Sequence, residues 1–202
     1  HENVTGKRVI ISVDGGRTRL REDNPDKKPS PSYQGKRAKF DTPWREPKLF
    51  VIHILDNDGS ISKTELPIYD AVINAADCCF DLLADYLKKL KIETATEVLV
   101  IADGADWIWN RTTATLLKLG VSEAKIAEAV DYYHAVEHIS DMISKLRKLD
   151  NKKQAALFKE LKDLLWDGKL EQFISTVTDL ANGRKLILDK LNYFQKNIKR
   201  MQ

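Results

Sequence analysis

The 202-residue sequence is poor in cysteine and has no long apolar run, and each shortage excludes a class of protein. Its two cysteines, Cys78 and Cys79, are adjacent, so it has neither a Cys-x-x-Cys zinc pair nor a disulfide framework. We expect both thiols to be buried and reduced, as in the cytoplasm. No apolar run approaches the roughly 18 residues that span a bilayer. The sequence therefore predicts a cytoplasmic protein without a membrane partner.

Proline is also scarce, except in one segment. Five of the six prolines lie between residues 21 and 48, where charged residues are many and apolar residues few. This composition predicts a long exposed loop. Loops of such length in a compact domain are usually functional or disordered.

Charge is distributed unevenly along a chain whose formal net charge is only +3. Residues 17–48 carry ten Lys and Arg against five Asp and Glu, and residues 139–202 carry fourteen against eight. The intervening residues 49–138 carry seven against fifteen. A metal-dependent nucleic-acid enzyme needs such an arrangement, because carboxylates hold cations and basic side chains hold phosphates. Ordinary surface variation is the alternative interpretation.

The order of the predicted elements indicates an α/β fold. Strands are predicted at 8–14, 48–56, 61–66, 97–102 and 126–131, and helices at 69–91, 110–119 and from 139 onward. Three antiparallel strands and a crossover helix into a parallel strand form an RNase H-like mixed sheet. In that sheet the first and fourth strands are neighbours, about 4.8 Å apart. We expect an RNase H-like core over residues 1–138 and an all-α insertion over 139–202.

Two aspartates follow the strands that this layout makes neighbours. Asp14 ends the first strand and Asp103 ends the fourth, so we expect their carboxylates to converge. Two such carboxylates can hold two divalent ions roughly 3.5–4 Å apart. Hard oxygen ligands favour Mg²⁺ or Mn²⁺. The alternative is that each aspartate only caps the turn or helix after its strand.

Three motifs resemble signatures of the DDE transposases of bacterial insertion sequences, distant relatives of the Mutator and hAT groups. They are Val13-Asp14-Gly15-Gly16-Arg17, Ile101-Ala102-Asp103-Gly104-Ala105-Asp106-Trp107-Ile108-Trp109 and Asp131-Tyr132-Tyr133-His134-Ala135-Val136-Glu137-His138. The resemblance implies metal-dependent cleavage and strand transfer at transposon ends. It implies that Asp14 and Asp103 are catalytic acids and metal ligands, with Asp131, His134 and His138 beside the site. It also implies DNA partners, the transposon ends and the target, and a homodimer or higher assembly on DNA.

The resemblance further implies a third catalytic acid, a Glu on a helix that follows the helical insertion. Glu160 and Glu171 are the only glutamates after Glu137, and both lie in amphipathic helices among lysines, where a solvated face is expected. The chain begins with His1 rather than Met, and we expect a fragment that ends before the catalytic Glu. Such a fragment would bind DNA without cleaving it. A transposase remnant that only holds DNA is the alternative.

Two other functions stay open on the residues alone. His134, Glu137 and His138 form the His-x-x-Glu-His motif of a group of zinc proteases, although no third ligand is identifiable. The turn from Asp14 to Thr18 is similar to the phosphate turn of sugar kinases and actin-like ATPases, which share the RNase H topology. No convincing second phosphate loop follows it.

Basic side chains of the proline-rich segment are candidates to bind DNA phosphates. They are Arg17, Arg19, Arg21, Lys36, Arg37 and Lys39. A solvated loop is the alternative. Trp107 and Trp109 could stack on an unpaired base, a contact worth roughly 1–3 kcal/mol. A tryptophan near a strand end is more often core, and we expect at least one of the two to be buried.

Overall fold

The structure is a computed structural model that describes residues 3–28, 39–73, 75–146 and 149–201. Its sheet consists of β1 (Arg8–Gly15), β2 (Lys48–Leu55), β3 (Ile68–Val72), β4 (Glu97–Ala102) and β5 (Ile126–Val130). The strand order is β3-β2-β1-β4-β5. β2 is antiparallel to both β1 and β3, whereas β4 is parallel to both β1 and β5. This mixed sheet confirms the predicted α/β class and is compatible with an RNase H-like fold.

Six α-helices are described. They are α1 (Ala76–Lys89), α2 (Asp106–Lys118), α3 (Tyr132–Ser144), α4 (Asn151–Trp166), α5 (Leu170–Ala181) and α6 (Lys185–Lys196). α1 and α2 connect β3 to β4 and β4 to β5, and they contact each other. None of the helices in the described part of the chain is long and apolar enough to cross a membrane.

Burial alternates along the strands. Val9, Ile11 and Val13 of β1 are at most 1% exposed, while Ile10 and Ser12 between them are only half-buried. Successive residues of a strand point to opposite faces, so one face of the sheet lies in the core and the other is partly open. Each fully buried Val, Ile or Leu contributes roughly 1.5–3 kcal/mol to stability.

The third strand lies further along the chain than predicted. The prediction of a strand at 61–66 was wrong, because the hydroxyl of Ser62 accepts hydrogen bonds from the backbone amides two and three residues later. These local bonds turn the chain instead of extending it. The third strand is Ile68–Val72, part of which was predicted as helix; it pairs with β2, so α1 begins only at Ala76.

The prediction of a loop at 21–48 was wrong for residues 21–24 and 39–48, which continue the β1–β2 hairpin. Thr18–Arg19 pairs with Trp44–Arg45, and Glu22–Asp23 pairs with Phe40–Asp41. The amides of Gly16, Leu20 and Asn24 donate to the carbonyls of Pro47, Pro43 and Lys39. These prolines take part through their carbonyls, so their missing N–H groups cost no hydrogen bond.

The extended hairpin keeps the pairing register of β1 and β2. It is unbroken from the pair Arg8 and Leu55 to the pair Asn24 and Lys39. We call residues 16–24 and 39–47 the arm. At roughly 3.3 Å per residue, nine residues extend about 30 Å beyond the end of β1.

The four C-terminal helices pack on one another and on the edge of the sheet. α3 contacts α4 and α6, and α5 contacts α4 and α6. The rings of Phe173 and Phe194 join α5 to α6 with centroids 4.6 Å apart. Buried residues of the sheet and of these helices form one hydrophobic core. Residue 138, the predicted domain limit, lies within α3, and the division into two domains stays a prediction.

The two adjacent cysteines differ in environment. Cys79 is buried in α1, where burial raises the pKa of its thiol, whereas Cys78 is exposed. The expectation that both are buried was therefore wrong for Cys78. Neighbouring residues of a helix point about 100° apart, so only one of the two faces the core.

Candidate functional site

The carboxyl ends of β1 and β4 bring two of the predicted site residues together. The strands are parallel, and Val13 pairs with Ala102. Asp14 and Asp103 are the next residues on the two strands, so their backbones are neighbours at about the 4.8 Å strand spacing.

The carboxylates of Asp14 and Asp103 each make one local hydrogen bond. Oδ1 of Asp14 accepts from the amide of Gly15 at 2.7 Å, and Oδ1 of Asp103 accepts from the amide of Ala105 at 2.8 Å. Each aspartate thus uses one oxygen to cap the turn after its strand, as the alternative interpretation expected. No hydrogen bond to Oδ2 of either residue is found in the described part of the chain. One oxygen of each carboxylate is therefore free to bind a ligand.

A third aspartate, Asp131, follows β5 at the same edge of the sheet. Its backbone amide donates to the carbonyl of Ala102 at 2.8 Å, which holds it beside Asp103. Its Oδ1 accepts from the amides of Tyr133 and His134, so Asp131 is the N-cap of α3. Among the described residues, no group of three His, Cys, Asp or Glu could hold a metal ion.

His134 and His138 lie one turn apart on α3, with ring centroids separated by 5.0 Å. Nδ1 of His134 is 3.8 Å from a carboxylate oxygen of Glu137. The ring of His138 stacks on Tyr193 of α6, with centroids 3.8 Å apart and planes inclined by 17°. The described residues add no third ligand that a zinc site at this pair would need.

Tyr193 is a site residue that sequence reasoning missed. Its hydroxyl donates to the backbone carbonyl of Asp103 at 3.0 Å. Burial raises the pKa of Tyr193, and the charges of Asp103 and Asp131 raise it further, so the phenol keeps its proton. No local pattern connects two positions 90 residues apart. The contact exists because α6 packs on α3 and so reaches the end of β4.

The two tryptophans after Asp103 both pack against other side chains. Trp109 is 5% exposed, which confirms the expectation that one of them is core, and the guanidinium of Arg200 lies 4.4 Å from its ring centroid. Trp107 is half-buried and meets Phe80 edge to face, with centroids 6.1 Å apart. Nζ of Lys48 lies 5.7 Å from the Trp107 ring, so this ring supports the ends of β1 and β2.

The candidate DNA-binding residues lie on the arm. Arg17, Arg19, Arg21 and Lys39 are exposed, whereas Lys36 and Arg37 lie outside the described residues. The three arginines stack on aromatic rings of the opposite strand. The distances from Cζ to the ring centroid are 5.0 Å for Arg17 and 4.8 Å for Arg19, both over Trp44, and 4.2 Å for Arg21 over Phe40.

Comparison with known proteins adds little. No protein-family model matches the chain, and no curated protein matches it. The solved structure of a foamy viral protease-reverse transcriptase in complex with double-stranded DNA aligns with a TM-score of 0.30 and 12% identity. The alignment covers 61% of this chain and 80% of that chain. This similarity is too weak to indicate a fold or a function. The fold is therefore inferred from the strand topology, and the candidate site from the residues at the strand ends.

Proposed function

We propose that the chain is the catalytic region of a DDE-type transposase, which cleaves and joins DNA at transposon ends. The observation that carries the proposal is the parallel pairing of β1 with β4. Because Val13 pairs with Ala102, the aspartates that follow them are backbone neighbours. The exposed arginines of the arm, which leave the sheet at the same strand end, support a nucleic-acid substrate.

Asp14 and Asp103 would hold divalent ions through their free oxygens. An all-oxygen donor pair fits Mg²⁺ or Mn²⁺ better than a soft metal. The bound ions would activate water or a 3′-hydroxyl and stabilise the leaving oxygen at phosphorus. The attacking and leaving oxygens both belong to water or DNA, so the protein supplies no nucleophile. Tyr193 and Asp131 hold the Asp103 segment from two sides.

The third acid of the proposed site comes from outside the described residues. Glu160 lies on α4 and Glu171 on α5, and both are exposed, as expected of a solvated helix face. One face of the sheet is only half-buried, and we propose that a helix carrying the further acid packs on it. We propose that the assembly active on DNA is a homodimer or larger.

Binding of Mn²⁺ tests the proposal. We expect Asp14→Asn and Asp103→Asn each to weaken Mn²⁺ binding about 10- to 100-fold in titration calorimetry, because each removes a negative oxygen ligand. Asp85→Asn is the matched control, since Asp85 is an exposed aspartate of α1 away from the strand ends. Affinity that neither site variant changes would refute the metal site and, with it, the proposed reaction.

A further inference from the structure

The arm has one row of unneutralised positive charge. Arg17, Arg19 and Arg21 alternate with half-buried Thr18 and Leu20, so the three arginines point to the same face of their strand. Within the ranges that the structure describes, none of the three arginines forms an ion pair.

Two other basic side chains, Arg45 of the arm and Lys27 just beyond it, are paired with acidic side chains of the opposite strand. Nζ of Lys27 lies 2.6 Å from a carboxylate oxygen of Asp41, and Arg45 forms an ion pair with Glu22. Asp41 also accepts a hydrogen bond from the side chain of Asn24 at 2.6 Å. These pairs cross between the two strands and stabilise the ribbon. The arginine row is thus available to an anionic partner.

The aromatic rings of the opposite strand hold the row in place. Trp44, 52% exposed, lies directly opposite Arg19 and receives both Arg17 and Arg19, while Phe40 receives Arg21. A guanidinium stacked on a ring keeps its N–H edges free for a planar partner such as phosphate. Stacking also restricts the side chains before binding, which reduces the entropy lost when they bind.

The spacing and position of the row match a DNA strand beside the candidate site. Alternate residues of a strand are roughly 6.8 Å apart, so the row spans about 14 Å. A strand of duplex DNA carries one phosphate per roughly 3.4 Å of helix axis, so the row can meet phosphates along one backbone. Arg17 is three residues beyond Asp14, so DNA bound by the row would pass the carboxylates.

We propose that the arm is a clamp for duplex DNA in which Arg17, Arg19 and Arg21 bind phosphates of one strand and Trp44 and Phe40 pre-organise them. The proposal rests on the proposed function for its choice of DNA as the partner. It adds the binding element, the three phosphate ligands and a role for two uncharged aromatic residues.

Binding to a labelled 30-base-pair duplex of arbitrary sequence, measured by fluorescence anisotropy over a series of KCl concentrations in EDTA, tests the arginine row. Replacing the three arginines with Gln should reduce the slope of log affinity against log salt by about 2.7, or roughly 0.9 per lost phosphate contact. The control replaces the exposed Lys63, Lys88 and Lys118 with Gln and removes the same charge elsewhere. Equal slopes for the two triple variants would overturn the proposal.

Two further variants test the aromatic part of the clamp. Trp44→Leu should weaken binding about 3- to 10-fold with an unchanged salt slope, because Arg17 and Arg19 keep their charge but lose the ring that orders them. Trp166→Leu, which removes a 72% exposed tryptophan of α4, should leave affinity unchanged. Equal affinities of the Trp44 and Trp166 variants would overturn the pre-organisation.

A conservative variant separates the loss of charge from misfolding of the arm. Replacing all three arginines with Lys keeps the charge and loses the planar fork, so it should keep the slope and lower the affinity. Loss of the slope in this variant would contradict phosphate binding by the row. Since EDTA removes divalent ions, these results do not depend on the Mn²⁺ site. If the arginine row binds DNA but Mn²⁺ affinity does not depend on the two aspartates, the clamp is supported and the proposed metal site is refuted. If Mn²⁺ affinity depends on the aspartates but the row does not bind DNA, the metal site is supported and the clamp is refuted.

Discussion

At the residue scale, Gly104 allows α6 to approach the candidate site. Its φ of +94° lies in a region that residues with a Cβ rarely adopt. A Cβ at this position would lie 2.8 Å from Cε2 of Tyr193 and 3.0 Å from Nδ2 of Asn197. Tyr193 cannot move away freely, because its ring stacks on His138 and its hydroxyl binds the Asp103 carbonyl.

The Gly104→Ala substitution should therefore lower the free energy of unfolding by about 2–4 kcal/mol, from backbone strain and from the contact with Tyr193. Gly168→Ala is the matched control, since Gly168 has a φ of +69° and a Cβ there would meet no atom of the described residues within 4 Å. Gly168→Ala should lower the free energy of unfolding only through backbone strain, by about 1–2 kcal/mol. Urea denaturation measures both, and equal losses would show that the Tyr193 contact does not matter.

His138 makes stability depend on pH. Burial lowers its pKa, and the charges of His134 and Lys190 lower it further, against the smaller raising effects of Asp141 and Asp103. The unfolded chain keeps the ordinary histidine pKa of 6.5, so it binds the proton first as the pH falls. The stability that the folded protein gains from neutral His138 is therefore fully present above pH 6.5, and it is lost as the pH falls toward the pKa of His138 in the folded state.

The expected result is a melting temperature that declines as the pH falls from about 6.5 to 5. His138→Phe should make this decline shallower, because phenylalanine can still stack on Tyr193 but cannot bind a proton. Scanning calorimetry at several pH values measures the difference. A decline of the same steepness in the variant would assign the acid sensitivity to other groups.

At the element scale, α6 joins the helical region to the sheet edge. Its buried stripe is Ile187, Leu191 and Phe194, and Tyr193 beside this stripe binds the end of β4. Arg200, just beyond α6, forms an ion pair with Glu128 of β5 at 2.6 Å. Packing of α6 therefore controls the position of Tyr193 over the Asp103 segment.

Removal of the largest side chain of the α6 stripe tests this dependence. Phe194→Ala should lower the free energy of unfolding by about 3–5 kcal/mol, because Phe194 is fully buried against Phe173. Leu186→Ala changes the same helix at a position that is 69% exposed and should stay within about 0.5 kcal/mol of the original protein. Denaturant unfolding compares them, and a small loss for Phe194→Ala would show that α6 packs weakly.

At the scale of the whole molecule, the proposed DDE site has two carboxylates at the sheet edge and no third acid among the described residues. We expect the 202-residue chain to bind duplex DNA and Mn²⁺ but not to nick a supercoiled plasmid above background, because a metal held by two acids lacks a ligand. Glu160→Gln and Glu171→Gln should change neither result. Robust nicking that one of these two variants abolishes would show that the third acid lies within the chain.

The sequence by itself determined the features that depend on local burial patterns. Apolar runs predicted β1 and β4, and the helical pattern from residue 139 onward predicted the C-terminal helices, which bury stripes such as Leu157, Leu161, Leu164 and Leu165. The order of these elements was enough to predict that β1 and β4 are parallel neighbours, and the structure confirms it. Periodicity is readable because each residue's burial depends on which face of its own element it occupies.

Only the tertiary structure decided the features that depend on partners distant in sequence. The position of β3, the pairing of the arm and the contact of Tyr193 with Asp103 all require hydrogen bonds between separate segments. The prolines and charged residues of the arm are typical of a loop. A ribbon outside the sheet buries too little apolar surface for its sequence to show an alternating apolar pattern. The steric constraint at Gly104 likewise comes from α6, and no residue near Gly104 in the sequence indicates it.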